Sequence, residues 1–361
     1  MNEKYEACLV VHALGDTIGF RNGMWEFNYG KSRFCFEDLL EIFYDFIGLG
    51  GVNHLDTTGW KVSDDTLLHL AIADAYIYDN SHNNTHNINN IISKLIKNLK
   101  KEFNDMDGRY PGINTQKNVK LLLDGTDWKS IPYDNNAGGS GASMRTLCLG
   151  LIFYGENNRI KLIEHSIETS RLTHNCATGY LGGLVSSLFT AFAIEDIQIQ
   201  QWPHKLVELL ESSNIDDYMK TTRGFETYDR DKHIFIGKWK QYIEDKFESN
   251  SNNTKKPMHN LVRRAKYYHN NFSKTSYIGA GGDDSVIIAY DCLIDAKNNW
   301  EKLIVYAMLH IGDTDTTGCI AGGWYGALYG YDDIPKYMIN NLEYKKRIMK
   351  TGNDIYNKFY V

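Results

Sequence analysis

The chain has 361 residues, a formal net charge of −6 at pH 7 and a hydrophobic content of 42%. This length allows one large domain, and the apolar fraction is sufficient for a substantial core. The negative charge argues against a surface that binds nucleic acid or an anionic membrane, although a small anionic ligand needs only a local positive site. Six cysteines without any CxxC pair indicate reduced thiols in a cytoplasmic protein rather than a disulfide framework or a zinc site.

The first predicted helix covers residues 3–14 and ends at Gly15-Asp16. Acidic residues and an early polar break in this segment argue against a signal peptide. We find no uncharged apolar run of about 18 residues and therefore expect no membrane span. In the loop that follows, Trp25 is expected to pack, whereas Glu26 is either a solvated charge or reaches into a cleft.

A second helix is predicted within residues 61–78. Ser63 is a suitable N-cap, Asp64 and Asp65 favour the positive end of the helix dipole, and the apolar residues after them recur at helical spacing. Two adjacent acids at a helix start are usually explained by capping alone. About 250 residues later, a second pair of acids is again followed by a threonine. This recurrence favours a shared function for the two pairs.

A glycine-rich loop, NNAGGSGASMR at residues 135–145, opens into a helical pattern. Glycines let backbone N–H groups approach a phosphate, and a helix N-terminus adds positive potential there. The loop matches neither the P-loop nor the dinucleotide fingerprint, so an ordinary helix–helix turn is the alternative. Upstream, residues 80–90 are interpreted as a linker that precedes a helix to Phe103, with metal binding by His82 and His86 as the minor alternative.

The following segments are mostly helical, with predicted helices at residues 161–170, 179–194, 201–212 and 285–297. His174 is interpreted as a buried histidine, with a catalytic role as the alternative. Residues 249–256 are predicted to be a polar surface insertion. A second glycine loop at residues 276–284 could cover a ligand, and Tyr277 offers a ring for stacking. Strand-type alternation is nearly absent, so we predict an all-α fold in a single domain, residues 1–361.

Residues 311–330, IGDTDTTGCIAGGWYGALYG, predict a buried helix that begins at two carboxylates, Asp313 and Asp315. The alternative is one N-cap Asp and one exposed Asp. If this helix start faced that of Asp64 and Asp65 across a pocket, the like charges would repel and would need cations. Oxygen ligands without His or Cys at ligand spacing favour Mg²⁺ or Mn²⁺ over zinc.

Eight phrases of the sequence resemble the ADP-ribosylglycohydrolase family, and its ADP-ribosylarginine hydrolase branch most. In chain order they are NGMWEF, WKVSDDT, DMDGRYPG, GGSGASMR, ATGYLGGLVSSLFTAFA, IAYD, HIGDTDTT and LEYKKR. They extend over nearly the whole chain. The sequence departs from close relatives at Asn175-Cys176-Ala177, where those are richer in His and Pro, and in the loop at residues 277–285, which carries Asp283-Asp284-Ser285-Val286.

The resemblance implies an orthogonal bundle of many helices with two Mg²⁺ ions in a central cleft. The implied metal ligands are Ser63, Asp64, Asp65, Asp313, Asp315 and Thr316. Catalysis is assigned to Asp65 as proton acceptor, Asp64 between the ions, and Glu26 at the departing guanidinium. The residues expected to contact ADP-ribose are Asn136, Gly138, Gly139, Ser140, Gly141, Arg145, Tyr277 and Gly281.

The implied reaction removes ADP-ribose from arginine side chains of modified proteins. One alternative keeps the family but changes the substrate to serine-linked ADP-ribose or O-acetyl-ADP-ribose; that branch tends to carry Thr where Ser63 stands. The other alternative is a catalytically silent ADP-ribose-binding or structural relative, like the jellyfish lens crystallins. The carboxylates kept at every metal position argue against it. We expect a monomer with no nucleic-acid or membrane partner.

Overall fold

A computed structural model describes residues 2–30, 35–79, 86–248, 258–273 and 277–361. Within these ranges the fold is all-α, as predicted, and the β-type pairing found there is one isolated bridge between Gly139 and Gly281. His82 and the predicted polar insertion at residues 249–256 lie outside the described ranges. The single-domain organisation stays a prediction.

Nineteen α-helices, α1 to α19, are present in the described part of the chain. Their bounds are Asn2–Phe20, Phe27–Gly30, Phe36–Gly48, Gly51–His54, Asp64–Ile77, Ile88–Glu102, Ile113–Leu123, Leu147–Ile152, Arg159–Arg171, Ala177–Ile194, Trp202–Glu211, Ser213–Lys220, Phe225–Ile243, Leu261–Asn271, Asp284–Ala296, Trp300–Leu303, Thr314–Tyr329, Lys336–Asn340 and Lys345–Tyr360. Two π-helical turns, Glu244–Glu248 and Ile304–Met308, follow α13 and α16.

Helices α1 and α17 form the buried centre of the fold and touch backbone to backbone. Their contact is lined on α17 by glycines spaced four residues apart, which share one helix face. A Cβ on Gly318 would lie 2.6 Å from the Gly15 carbonyl oxygen, and Cβ atoms on Gly322 and Gly326 would overlap carbonyls of α1. Because no side chain separates the helices, the C-terminal part of α1 reaches the N-terminus of α17.

Helix α1 continues to Phe20, so the predicted end at Gly15-Asp16 is wrong. Gly15 and Gly19 are positions of close packing against α17 rather than helix terminators. The Thr314 hydroxyl donates a hydrogen bond to the Gly19 carbonyl at 2.7 Å and so fixes the two helix ends together. This extension carries Asp16 into the interior of the fold.

Helix α10, Ala177–Ile194, has 18 residues and, by length and composition alone, is apolar enough to cross a membrane. The expectation that the sequence contains no uncharged apolar run of this length is therefore wrong. However, 94% of the window is buried inside the fold, where small residues such as Gly182 and Gly183 press against neighbouring segments. These features are typical of a core helix.

The helix predicted after the glycine loop is shorter than expected. Residues 140–142 form a 3₁₀ turn, and α8 begins only at Leu147. The Gly141 carbonyl, which the Arg145 N–H would use in a regular α-helix, accepts from the Arg145 side chain instead, and that N–H donates to the Ala142 carbonyl.

Candidate active site

Four carboxylates meet where the N-terminus of α5 faces the N-terminus of α17. Asp64 and Asp65 occupy the first turn of α5, and Asp315 follows the N-cap residue Asp313 in α17. The Thr316 hydroxyl donates a hydrogen bond to Oδ2 of Asp65 at 3.1 Å and joins the two helix ends. All four carboxylates are buried, so the alternative of an exposed Asp at the start of α17 is wrong.

Cys319 contacts the carboxylate of Asp65, as Thr316 does, and Ser63 contacts its backbone. The Cys319 thiol lies 3.3 Å from its Oδ2, and burial raises the pKa of Cys319 well above its ordinary value, so the thiol donates. The Ser63 hydroxyl accepts from the Asp65 backbone N–H at 3.1 Å as the predicted N-cap. Ser63 is fully buried and does not line the cavity described below.

Asp16 holds the first turn of α5 in place through hydrogen bonds, a role that the sequence analysis missed. Its carboxylate accepts from the backbone N–H of Ser63 at 3.0 and 3.1 Å, and from the N–H and the hydroxyl of Thr66. These bonds satisfy N–H groups in the first turn of α5 that have no partner within the helix. The signal available in the sequence was a lone Asp after an apolar helical run.

Glu26 joins the cluster from a separate segment. Its side chain is only 7% exposed, so the interpretation as a solvated charge is wrong. The segment is held on both sides: the Trp25 indole donates to Asp45 at 2.9 Å, and the Phe27 N–H donates to the Gly312 carbonyl at 2.7 Å. The second bond ties the segment to the residue before Asp313.

A cavity of about 330 Å³ opens onto the acidic cluster. It is lined by Glu26, Phe27, Asp64, Asp65, Tyr110, Gly112, Ile113, Asn114, Thr115, Gly139, Ser140, Gly141, Met144, His174, Ala280, Asp313, Asp315 and Thr316. The glycine-rich segment therefore borders the carboxylates, and the Ser140 hydroxyl donates to Oδ2 of Asp313 at 2.9 Å.

Five of the residues expected to contact ADP-ribose do not line this cavity, namely Asn136, Gly138, Arg145, Tyr277 and Gly281. Arg145 is buried, and its guanidinium donates to backbone carbonyls of Gly141, Thr169 and Ser170. Burial lowers the pKa of Arg145 to about 10, while Asp64 and Asp65 oppose that change. Arg145 therefore holds the glycine loop through the Gly141 carbonyl and places a positive charge near Asp64 and Asp65.

Another part of the cavity rim comes from residues to which the sequence analysis assigned no role at the site. Tyr110 and Ile113 are 59% and 85% exposed, and both border the cavity with Asn114 and Thr115. Their signal was the dense DMDGRYPG phrase immediately before α7. Which segments border the cavity depends on how distant parts of the chain pack together. A phrase of eight residues carries no information about that packing.

His174 is buried as expected and also lines the cavity. Its Nδ1 lies 2.8 Å from the Thr173 hydroxyl, and burial, with Arg145 nearby, lowers its pKa to about 3. The ring is therefore neutral. A Cβ on Gly141 would overlap this ring, so the histidine shapes the glycine rim.

The site places like charges together in a low-dielectric setting. Burial, and then the neighbouring Asp315, raise the pKa values of Asp64 and Asp65 well above the ordinary range. Burial raises the pKa of Asp313 to about 7. The pKa of Glu26 is also raised, by burial first and then by Asp315 and Asp313. Ionised carboxylates in this arrangement require a compensating cation.

The donor set fits a hard divalent cation. Carboxylate oxygens of Glu26, Asp313 and Asp315 lie within 4.8 Å of one another. Oδ2 of Asp64 and Oε2 of Glu26 are buried without a hydrogen-bond partner among the described residues. Carboxylate and hydroxyl oxygens are the ligands that Mg²⁺ and Mn²⁺ prefer. Residues in position to hold such ions are Glu26, Asp64, Asp65, Asp313, Asp315 and Thr316.

The ADP-ribosylglycohydrolase family model matches residues 1–361 of the chain. ADP-ribosylhydrolase ARH1 of Dictyostelium discoideum is 34% identical and aligns with 98% of this chain and 94% of its own length. L444 of Acanthamoeba polyphaga mimivirus, provisionally named an ADP-ribosyl glycohydrolase, is 37% identical across 94% of this chain and 67% of its own.

A solved structure, an ADP-ribosylglycohydrolase-related protein complex, shares the fold with a TM-score of 0.59 and 15% sequence identity, covering 99% of this chain and 98% of its own. The matched family consists of metal-dependent hydrolases that act on ADP-ribosylated substrates, and the buried acidic cluster suits that chemistry. The resemblance found in the sequence is thus confirmed, and the chain belongs to the ADP-ribosylglycohydrolase family.

Proposed function

We propose that the chain hydrolyses the N-glycosidic bond between ADP-ribose and an arginine side chain of a modified protein, with two Mg²⁺ ions in the acidic cluster. The supporting observation is a cavity in which buried carboxylates from α5, α17 and the Glu26 segment face the rim Gly139–Gly141. The phrases that resemble ADP-ribosylarginine hydrolases, NGMWEF above all, support the arginine linkage.

When bound, Mg²⁺ supplies positive charge that holds the ribose hydroxyls and lowers the pKa of a water molecule near the anomeric carbon. Cleavage of the C–N bond develops oxocarbenium character at that carbon. The bonding pair leaves with the guanidine nitrogen, which takes up a proton, and the attacking water loses one. Asp65 accepts this proton at Oδ1, since Thr316 and Cys319 occupy its Oδ2. Asp64 contributes its unpartnered Oδ2 to the cation site.

Glu26 is assigned to the arginine side. A guanidinium is planar and permanently charged, and a carboxylate pairs with it well. Glu26 lies between Trp25 and Phe27, which leaves its carboxylate at the cavity next to Asp313 and Asp315. In this position it holds the guanidinium in line with the bond that breaks.

The diphosphate is assigned to the rim Gly139–Gly141. Gly139 precedes the 3₁₀ turn Ser140–Ala142, and Ser140 and Gly141 are its first two residues. Their small side chains allow a phosphate to approach the backbone. The exposed side chains of Tyr110 and Ile113 border the same opening and offer an apolar surface for the remainder of the nucleotide.

The deciding experiment measures release of ADP-ribose from an arginine-modified and a serine-modified protein side by side, in Mg²⁺ and in excess chelator. We expect Mg²⁺-dependent release from the arginine-modified protein alone. Asp315→Asn, which removes one clustered carboxylate, serves as the inactive control.

Release from the serine-modified protein instead would keep the family reaction and overturn the arginine assignment. Binding of free ADP-ribose without release from either protein would indicate a silent relative. Full activity of metal-stripped protein in chelator would overturn the role of the cations.

A further inference from the structure

The two glycine-rich segments of the chain lie edge to edge beside the cavity. Ser140 N–H donates to the Ala280 carbonyl at 3.0 Å, and Gly282 N–H donates to the Gly138 carbonyl at 2.8 Å. Gly139 and Gly281 form the antiparallel bridge between them. The conformation of Gly138–Ser140 therefore depends on the segment Tyr277–Asp283, the support loop.

The support loop also touches the start of α17. The Asp313 N–H donates to the Ile278 carbonyl at 2.8 Å, and a Cβ on Gly312 would overlap that same carbonyl. One loop therefore contacts both the acidic cluster and the glycine rim. A group that fixes this loop sets the distance between these two parts of the site.

The carboxylate of Asp284 is the group that fixes it. Its Oδ1 accepts from the Gly281 N–H at 2.7 Å, and its Oδ2 accepts from the Gly279 N–H at 3.0 Å and from the Ser273 hydroxyl. Asp284 is almost completely buried. It does not line the cavity, so these contacts are structural rather than catalytic.

The adjacent acid has a different role and provides a matched control. The Asp283 carboxylate forms an ion pair with Lys238 of α13 at 2.6 Å. Asp283 and Asp284 both lie at the N-terminus of α15, and both side chains are carboxylates. Replacing either by Asn removes one carboxylate from the same helix end, but only Asp284→Asn removes an acceptor of the Gly279 and Gly281 N–H groups.

We propose that Asp284 is a positioning residue, which holds the support loop so that Gly138–Ser140 presents its backbone to the diphosphate of ADP-ribose. The proposal rests on the function proposed above for its ligand. An Asn at this position has one acceptor oxygen, so it can serve only one of the two glycine N–H groups and leaves the other unpaired.

The test compares Asp284→Asn with Asp283→Asn and wild type, at about pH 8 in saturating Mg²⁺, where a pKa of about 7 leaves Asp284 mostly ionised. Amide hydrogen exchange reports on peptides covering residues 138–141 and 277–283, and calorimetry reports the affinity for free ADP-ribose. In Asp284→Asn we expect faster exchange in both peptides and about tenfold weaker binding. Asp283→Asn should remain within about twofold of wild type.

Exchange in Asp284→Asn that equals exchange in Asp283→Asn would overturn the proposal, and so would unchanged affinity despite faster exchange. If Asp284→Asn does not fold, Ser273→Ala removes one of the three donors, and unchanged exchange and affinity in that variant would also overturn it. Wild-type protein that neither binds ADP-ribose nor releases it contradicts the proposed function instead, while hydrogen exchange still decides the structural part.

Discussion

Glu26 shows how one side chain acquires a role through contacts that its own segment does not encode. The residue follows a 3₁₀ turn and precedes Phe27, which adopts a positive φ of 49°. Bonds to Asp45 and to Gly312 at either side of the segment turn the carboxylate towards the cavity. Burial and the charges already there raise its pKa, so the side chain is stable in this position only when it is protonated or faces a positive charge.

Glu26→Gln should slow the hydrolysis of ADP-ribosylarginine by about ten- to a hundredfold, the effect of losing one charge-assisted contact of roughly 1.5–3 kcal/mol in the transition state. Binding of free ADP-ribose in saturating Mg²⁺ should remain nearly unchanged, because that ligand lacks the guanidinium and Asp313 and Asp315 still hold the cation. Single-turnover rates and calorimetry measure the two quantities. Glu37→Gln, at an exposed position on α3, is the control. A wild-type rate for Glu26→Gln would remove the residue from the site.

At the scale of helices, the sequence predicted what depends on neighbours along the chain. Ser63 as N-cap, the acids in the first turn of α5 and the start of α17 near Asp313 follow local capping rules. The sequence did not reveal which helix faces meet. Gly15 therefore suggested a helix end, although it is a contact with Gly318.

The rims of the cavity illustrate the same limit. The loop around Gly139 was recognisable as a phosphate-type loop, but its pairing with Gly281 joins segments more than a hundred residues apart. Tyr110 and Ile113 were missed because neither a turn nor the start of a helix carries a local signal for what it faces. Arg145 was assigned to the ligand, yet it donates to backbone carbonyls, since a buried guanidinium must satisfy its donors.

Gly15→Ala should lower the free energy of unfolding by about 1–3 kcal/mol, because the added methyl overlaps the backbone of α17 and forces the two central helices apart. Gly48→Ala on α3 is the matched control. Its Cβ would meet no atom within 4 Å, so the better helix propensity of alanine should leave stability equal or raise it by up to about 1 kcal/mol. Urea unfolding measures both. Equal stability of the two variants would contradict the backbone contact.

At the scale of the whole molecule, distant parts of the chain contribute to one buried acidic cluster. Asp16 comes from α1, Glu26 from the next segment, and the remaining carboxylates from the starts of α5 and α17. Burying like charges opposes folding. The apolar helices around them supply the stability, and cations or protons must neutralise the centre.

The protonation of this cluster makes stability depend on pH in a defined direction. Burial raises the pKa of Asp16 to about 6 and that of Asp313 to about 7, above the ordinary value near 4 expected in the unfolded chain. Protonation therefore stabilises the folded state at low pH, and this contribution is lost as pH rises through the folded-state values. In chelator, the melting temperature should fall between about pH 5.5 and about pH 8.

Mg²⁺ should reverse this loss, because it replaces the protons that neutralise the carboxylates at low pH. At about pH 8 and a free concentration about a hundredfold above its dissociation constant, each bound ion should add about 2.7 kcal/mol and raise the melting temperature by about 3–4 °C. At about pH 5.5 the increment should be smaller, since protons compete for the same oxygens. Thermal unfolding in Mg²⁺ and in chelator at matched ionic strength measures it, and Asp315→Asn should lose most of it. An increment that is absent, or equal at both pH values, would show that the carboxylates do not bind the cation.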